Sequence, residues 1–247
     1  MKTSSRVSGQ KMIGTVLSLV YLGVLFCTVN VSAQTTRGLQ ALWKMDEGVG
    51  SKTADASGRG NTGILAGAPP PSWSTGIGSN GLSFSGNGAS FVVVAGSKNL
   101  ANITNAITLT AWVKTPPTAN AFVITKWTTD GGTDGSYALS VSLGHSALQL
   151  FLNGIYVPLA GATLLPDDNG WHHVAATYDG VTMIVYLDGQ PDGSRPASGK
   201  IDVVNSSVFL GQLADGAFPF SGDMDNVRIY NRALTAAEIL QLFQSNQ

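Results

Sequence analysis

The chain has 247 residues, of which only 12% are charged, and its formal net charge of −1 supplies no basic field for nucleic acid. Its single cysteine, Cys27, excludes an internal disulfide framework. Stability must then come from core burial, and roughly 210 residues beyond an N-terminal leader are enough for one sizeable sandwich.

The leader is read first. Lys2, Arg6 and Lys11 precede an apolar run from Met12 to Phe26, and Val31-Ser32-Ala33 supplies a small-residue cleavage site. Gly14, Thr15, Ser18 and Gly23 interrupt the run and no stop-transfer charges follow, so residues 1–33 read as a signal peptide with no membrane span after cleavage. Cys27 stands where an acylated cysteine would, but bulky Phe26 directly before it departs from the small residue of lipoprotein signals. The expected mature chain begins at Gln34 and is secreted, extracellular or held at the cell surface. A short linker over 34–40 leads to one domain over 41–247.

From there the chain reads as short β segments punctuated by Gly, Asn and Asp, with almost no helical period before its end. In Ile107-Thr108-Leu109-Thr110-Ala111-Trp112-Val113-Lys114, Ile, Leu, Ala and Val alternate with Thr, Thr, Trp and Lys, which predicts one core face and one more polar face. Two hairpins are expected, Leu148 to Val157 and Trp171 to Leu187, with Asn153-Gly154 and Asp179-Gly180 as two-residue type I′ turns. In the second, Val181, Met183, Val185 and Leu187 fall on one face and Thr182, Ile184, Tyr186 and Asp188 on the other, before a turn at Asp188-Gly189. Phe220 to Tyr230 reads as a strand. Thr235-Ala236-Ala237-Glu238 is a capping box that opens one short helix through Phe243, pinned by Ile239, Leu242 and Phe243. The fold class is all-β, a two-sheet antiparallel jelly-roll sandwich with one short C-terminal helix.

Four blocks carry a family resemblance: 107–114, Trp171-His172-His173-Val174-Ala175-Ala176-Thr177-Tyr178-Asp179-Gly180, Val185-Tyr186-Leu187-Asp188-Gly189, and Met224-Asp225-Asn226-Val227-Arg228-Ile229-Tyr230-Asn231-Arg232-Ala233-Leu234. In this order they resemble the laminin-G-like jelly-roll domains of the concanavalin A-like superfamily. Leu42-Trp43-Lys44-Met45-Asp46-Glu47-Gly48, followed by Asp55-Ala56-Ser57-Gly58-Arg59-Gly60-Asn61, is similar to the opening strand and loop of that family. The resemblance implies the fold over about 41–243. It does not select a function, since such domains include lectin-like modules, adhesion domains and some glycanases or lyases.

The loop from Asp55 to Asn61 offers hard oxygens in a tight glycine-containing turn, as calcium requires. The resemblance implies a structural calcium between this loop and the later strand, with Asp225 as the third ligand beside Asp55 and Asn61. An EF-hand does not fit, because Arg59 and Ala66 fall on ligand positions. A second reading stands beside the metal: Asp55 and Asn61 making Asx turns.

His172 and His173 point to opposite faces of a strand and cannot share one ion, so both read as packed histidines. Asp223 and Asp225 are the only i, i+2 carboxylate pair in a predicted strand, the chain has only two glutamates, Glu47 and Glu238, and the latter is a helix cap. No Gly-x-Ser-x-Gly elbow and no phosphate-cradling Gly-x-x-x-x-Gly-Lys-Ser/Thr occurs. A non-catalytic domain is expected.

Aromatic rings remain as binding material, because flat apolar faces beside polar groups suit sugars. Trp127 precedes the glycine-rich loop 128–135 and Tyr156 follows the Asn153-Gly154 turn, which makes these two the candidate ligand-binding residues. Trp112 is expected to pack under a loop, and Trp73 and Phe218 sit in further loops. The expected function is a secreted carbohydrate-binding, lectin-like module whose partner is a polysaccharide or glycan. The alternative partner is an extracellular protein, in an adhesion or matrix role, and a glycan-active hydrolase or lyase is the third reading.

Overall fold

The computed structural model describes Met1 and residues 36–88, 90–128 and 134–245, so the leader lies outside the described residues. The chain runs through β1 (Leu39–Trp43), β2 (Lys52–Thr53), β3 (Gly63–Gly67), β4 (Ser72–Thr75), β5 (Asn80–Ser85) and β6 (Ser90–Val94) to a four-residue helix α1 (Lys98–Ala101). Then follow β7 (Ile107–Lys114), β8 (Ala121–Trp127), β9 (Gly135–Ser142), β10 (His145–Leu152) and β11 (Ile155–Leu164). The last elements are β12 (His172–Tyr178), β13 (Thr182–Leu187), β14 (Gln190–Pro196), β15 (Val208–Leu210), β16 (Ser221–Tyr230) and helix α2 (Ala236–Gln244).

These strands form two antiparallel sheets. The first has the order β14-β13-β12-β7-β16-β5-β4, with β1 also paired to β16, and the second the order β11-β10-β9-β8-β15-β6-β3-β2. Alternation sends Leu109, Ala111, Val113, Val174, Ala176, Met183 and Val185 inward from the first sheet. Val92, Val94, Leu139, Val141, Leu148, Leu150 and Leu210 meet them from the second. Each of these valine, leucine and methionine side chains contributes about 1.5–3 kcal/mol by leaving water, and the alanines less.

Local chemistry fixes the hairpins. Asn153 and Gly154 take φ of 51° and 79°, so β10 and β11 pair across a two-residue turn with Leu152 opposite Ile155. Asp188 and Gly189, at 48° and 76°, do the same between β13 and β14. The Asp179-Gly180 expectation needs correction. Tyr178 pairs with Met183, which leaves a longer loop, because the Asp179 carboxylate accepts the amides of Val181 and Thr182 at 2.9 and 2.7 Å and makes an Asx turn. Val181 is left exposed while Met183, Val185 and Leu187 enter the core.

Strand β7 also differs from its expected half-polar face: only Lys114 escapes burial. The reason is α2, whose Ile239 and Leu242 pack with Ala175, Tyr186, Tyr230 and Leu234 over the outer face of the first sheet. Its capping box is formed as the sequence demands, Thr235 Oγ1 accepting the Glu238 amide and the Glu238 carboxylate accepting the Thr235 amide. Trp112 packs under this helix rather than under a loop, stacked on Phe243 at 5.5 Å.

Candidate functional site

The outer face of the second sheet carries a run of aromatic rings. The tight turn after β10 sets Phe151 opposite Tyr156 in register, so their rings share one face at 5.6 Å. Trp127, at the end of β8, lies 4.9 Å from Phe151 and 5.8 Å from Tyr156, both near edge-to-face. Phe122 stands 6.2 Å from Trp127, and Phe218 stands 5.8 Å beyond Phe122. Gly135 is the floor under this run, since a Cβ there would lie 2.4 Å from Phe151 and 2.8 Å from Trp127.

Exposure divides the run. Trp127, Phe122 and Phe151 are buried among themselves, Ala138 and Leu213, whereas Tyr156 is 46% and Phe218 37% exposed. Polar groups border the exposed end: the Tyr156 hydroxyl donates to Gln149 Oε1 at 3.2 Å, and Gln149 Nε2 donates to Ser140 Oγ at 3.0 Å. The Trp127 indole N–H and Ser136 Oγ are buried with no partner. Burial raises the Tyr156 pKa, so its phenol stays a neutral donor.

The two candidate rings therefore meet, with different exposures. Phe151 and Phe122, which join the run, were missed by sequence reasoning. The signal for Phe151 was present in the two-residue turn, which obliges the residue two before Asn153 to face Tyr156. Trp73 falls on β4 and not in a loop, half-buried, with its indole donating to the Gly50 carbonyl at 2.9 Å.

The three oxygen residues proposed for calcium are differently employed. Asp55 Oδ1 accepts the amides of Leu42 and Ser57 at 3.0 and 2.9 Å, and Oδ2 accepts the Asn61 amide and Asn61 Nδ2, both at 2.9 Å. Hydrogen bonds from Ser57, Asn61 and Leu42 outweigh burial and hold its carboxyl below the ordinary value. Asn61 Oδ1 accepts the Ser97 hydroxyl at 2.6 Å. Asp225 faces another loop, accepting the amides of Ile77 at 2.8 Å and Asn226 at 2.6 Å. The oxygens of Asp55 and Asn61 are thus turned to donors of their own loop, β1 and Ser97, and those of Asp225 to the Ile77 and Asn226 amides. Among the described residues, no cluster of three or more His, Cys, Asp or Glu could hold a metal.

Asp225 is fully buried, so a substrate cannot reach the Asp223/Asp225 pair from both sides of a bond. His173 is fully buried against Trp112 at 5.4 Å with neither ring nitrogen partnered, and burial pushes its pKa down to about 3. His172 is buried as well, but its ring nitrogens face carboxylates. Its Nδ1 lies 2.9 Å from Asp188 Oδ2 and its Nε2 3.2 Å from Asp168 Oδ1, and the bond to Asp188 leads in raising its pKa. Among the described residues, no helix is long and apolar enough to cross a membrane.

Residues 85–240 match the model of a laminin-G-like family described as the concanavalin A-like lectin/glucanases superfamily. No curated protein matches the sequence. Among solved structures, the binding domain of Paraclostridial Mosquitocidal Protein 1 superposes with a TM-score of 0.67 at 18% identity, over 86% of this chain and 53% of that one. The binding domain of botulinum neurotoxin serotype G gives 0.66 at 16% identity, over 83% and 50%. Domain 4 of an extracellular GH43 arabinanase from Geobacillus stearothermophilus, in complex with arabinotriose, gives 0.63 at 20% identity, over 83% and 98%. The chain thus spans about half the length of the first two binding domains, and at these identities the likeness shows the fold.

Proposed function

The chain belongs to the concanavalin A-like lectin/glucanases superfamily, and on that premise we propose that it is a non-catalytic module, exported from the cytoplasm, that binds glycans through the outer face of its second sheet. The observation that carries this reading is the aromatic run with half-exposed ends at Tyr156 and Phe218. A pyranose or furanose presents a C–H face that stacks on such rings, and the Gln149 side chain beside Tyr156 is placed to exchange hydrogen bonds with its hydroxyls. The arabinanase domain of the same fold is held with arabinotriose, a glycan, which supports the reading. The burial of Asp225 supports the absence of catalysis.

A protein-binding role is the alternative, favoured by edge strand β11, which is uncharged over its ten residues and exposes Ile155, Tyr156 and Leu164. One experiment separates the two. Neutral and acidic polysaccharides are titrated against the chain, Tyr156→Ala and Phe218→Ala, with melting curves for each. Stacking contributes about 1 kcal/mol per ring, so each truncation weakens binding by about fivefold to tenfold at unchanged fold. Equal affinity in all three proteins overturns the platform. Failure to bind any glycan, with saturable binding to an extracellular protein, moves the reading to adhesion.

A further inference from the structure

At the end of the sandwich where β7 and β16 meet lies a concavity of about 390 Å³, lined by Lys114, Asp167, Asn169, Ser221, Gly222 and Asp223 among others. One wall is rigid. Lys114 and Asp223 are register partners on neighbouring strands, and Thr115 Oγ1 donates to the Ser221 carbonyl at 2.8 Å. The other wall is the segment 165–170 between β11 and β12, which brings Pro166, Asp167 and Asn169 to the cleft.

The polar groups of this cleft are little used by the protein. None of the ion pairs among the described residues includes Lys114, Asp167 or Asp223, and Asp223 accepts only a 3.3 Å bond from the Ser74 hydroxyl. One cation, two carboxylates, an amide and a hydroxyl bordering one concavity beside proline rings suit a ligand rich in hydroxyls, which donate and accept at once. Two carboxylates against one ammonium disfavour an anionic ligand.

The other wall has a single ionic fastening among the described residues. Asp168 Oδ1 accepts the Gly170 amide at 2.7 Å and faces His172 Nε2, while His172 Nδ1 faces Asp188, itself accepting the His173 amide at 2.9 Å. Only the imidazolium donates from both nitrogens; the neutral ring must give up one of the two carboxylates. The charged groups facing His172 are Asp168 from this segment and Asp188 from the β13–β14 turn, and its register partner on β7 is the uncharged Val113. We infer that this cleft is a second subsite, for a single neutral sugar residue, and that the Asp168–His172–Asp188 clasp closes its wall most firmly when His172 is protonated. The inference shares the glycan chemistry of the proposed function but not its location.

The test is amide chemical-shift mapping of the chain with the methyl glycosides of glucose, galactose, mannose and arabinose at pH 5.5 and pH 8. The expected result is saturable shifts at Asn169, Ser221 and Gly222 for at least one glycoside, with affinity about fivefold weaker at pH 8, the order set by partly exposed ion pairs. Asp223→Asn lowers that affinity without moving shifts around Tyr156. His172→Gln and, in case that variant unfolds, the exposed Asp168→Asn both flatten the pH dependence. Absence of shifts at the three amides with every glycoside overturns the subsite, whatever the residues around Tyr156 do. Equal affinity at the two pH values overturns the clasp. Shifts confined to the cleft instead uphold the subsite and overturn the platform at Tyr156.

Discussion

Asp225 Oδ2 accepts the amide of Ile77 at 2.8 Å from a position with no solvent exposure, and through that bond β16 holds the β4–β5 turn. Burial, helped by the neighbouring Asp46, pushes the Asp225 pKa up to about 7 against the pull of the two amides and Arg228. A carboxyl raised above its unfolded value contributes stability that is full below pH 3.8 and is lost as pH rises through about 7. His173, lowered to about 3, slopes the opposite way between 6.5 and 3, so the measurable quantity is the difference between two proteins. Urea unfolding from pH 4 to pH 8 is expected to show the stability of Asp225→Asn rising relative to that of the native chain as pH goes from 4 to about 7, because the falling contribution of the carboxyl is gone. That variant also costs about 1–3 kcal/mol throughout, because one amide N–H then faces an NH₂. A profile parallel to the native one rejects the assignment.

Arg232 and Glu238 form a two-pronged pair, with Nη2 to Oε1 at 2.6 Å and Nη1 to Oε2 at 2.9 Å, on the same carboxylate that completes the capping box of α2. The bond from Arg232 leads in lowering the Glu238 pKa, so this contribution is full above pH 4.5 and is lost as pH falls through the lowered value. Glu238→Ala is expected to cost about 2 kcal/mol and to speed hydrogen exchange across residues 236–244 before the sheets open. Unchanged exchange there shows that packing on Tyr186 and Tyr230 alone holds the helix.

Much of the fold was legible because its signals are local. The β7 span, the Asn153-Gly154 turn and the Thr235/Glu238 box each depend on neighbours in sequence. What was not legible is non-local. Asp179 reads equally as a type I′ turn or an Asx turn, and the choice rests on where Met183 pairs. The polar-looking face of β7 is buried because α2, far along the chain, lies over it. The site divides in the same way: Trp127 and Tyr156 were selected by residue type, but the irregularity at Lys126/Trp127 in the β8–β9 register and the rings of Phe122 and Phe151 decide which is exposed.

Two glycines separate backbone cost from steric cost. Gly154, at φ +79°, has open space where a Cβ would stand, so Gly154→Ala is expected to cost only the left-handed penalty of about 1–2 kcal/mol. Gly222, at φ +129°, would place a Cβ 2.1 Å from the Lys114 carbonyl oxygen. Gly222→Ala must push β16 off β7 and is expected to cost about 3 kcal/mol or more. Denaturant midpoints compare them directly, and equal costs reject the close approach at Gly222.

Trp127 and Tyr156 touch, yet they should answer truncation differently, since Trp127 is 6% exposed and Tyr156 is 46% exposed. Trp127→Ala removes the ring on which Phe122, Phe151 and Tyr156 all rest, and a buried tryptophan truncated this way costs about 3–5 kcal/mol. Trp127→Phe keeps a ring in the cluster and deletes an indole N–H that has no partner, so its polar cost is small and its packing cost is expected near 1 kcal/mol. If the glycan stacks on Tyr156, Trp127→Phe leaves affinity within about twofold, because the change lies beneath the binding ring. Tyr156→Ala should do the reverse, losing affinity by about fivefold to tenfold while costing little stability. Urea melts and glycan titrations on the same three proteins resolve the roles. A Trp127→Phe protein that is as stable as the native chain but loses affinity as steeply as Tyr156→Ala shows that the indole itself meets the sugar, and the exposed-ring account is then wrong.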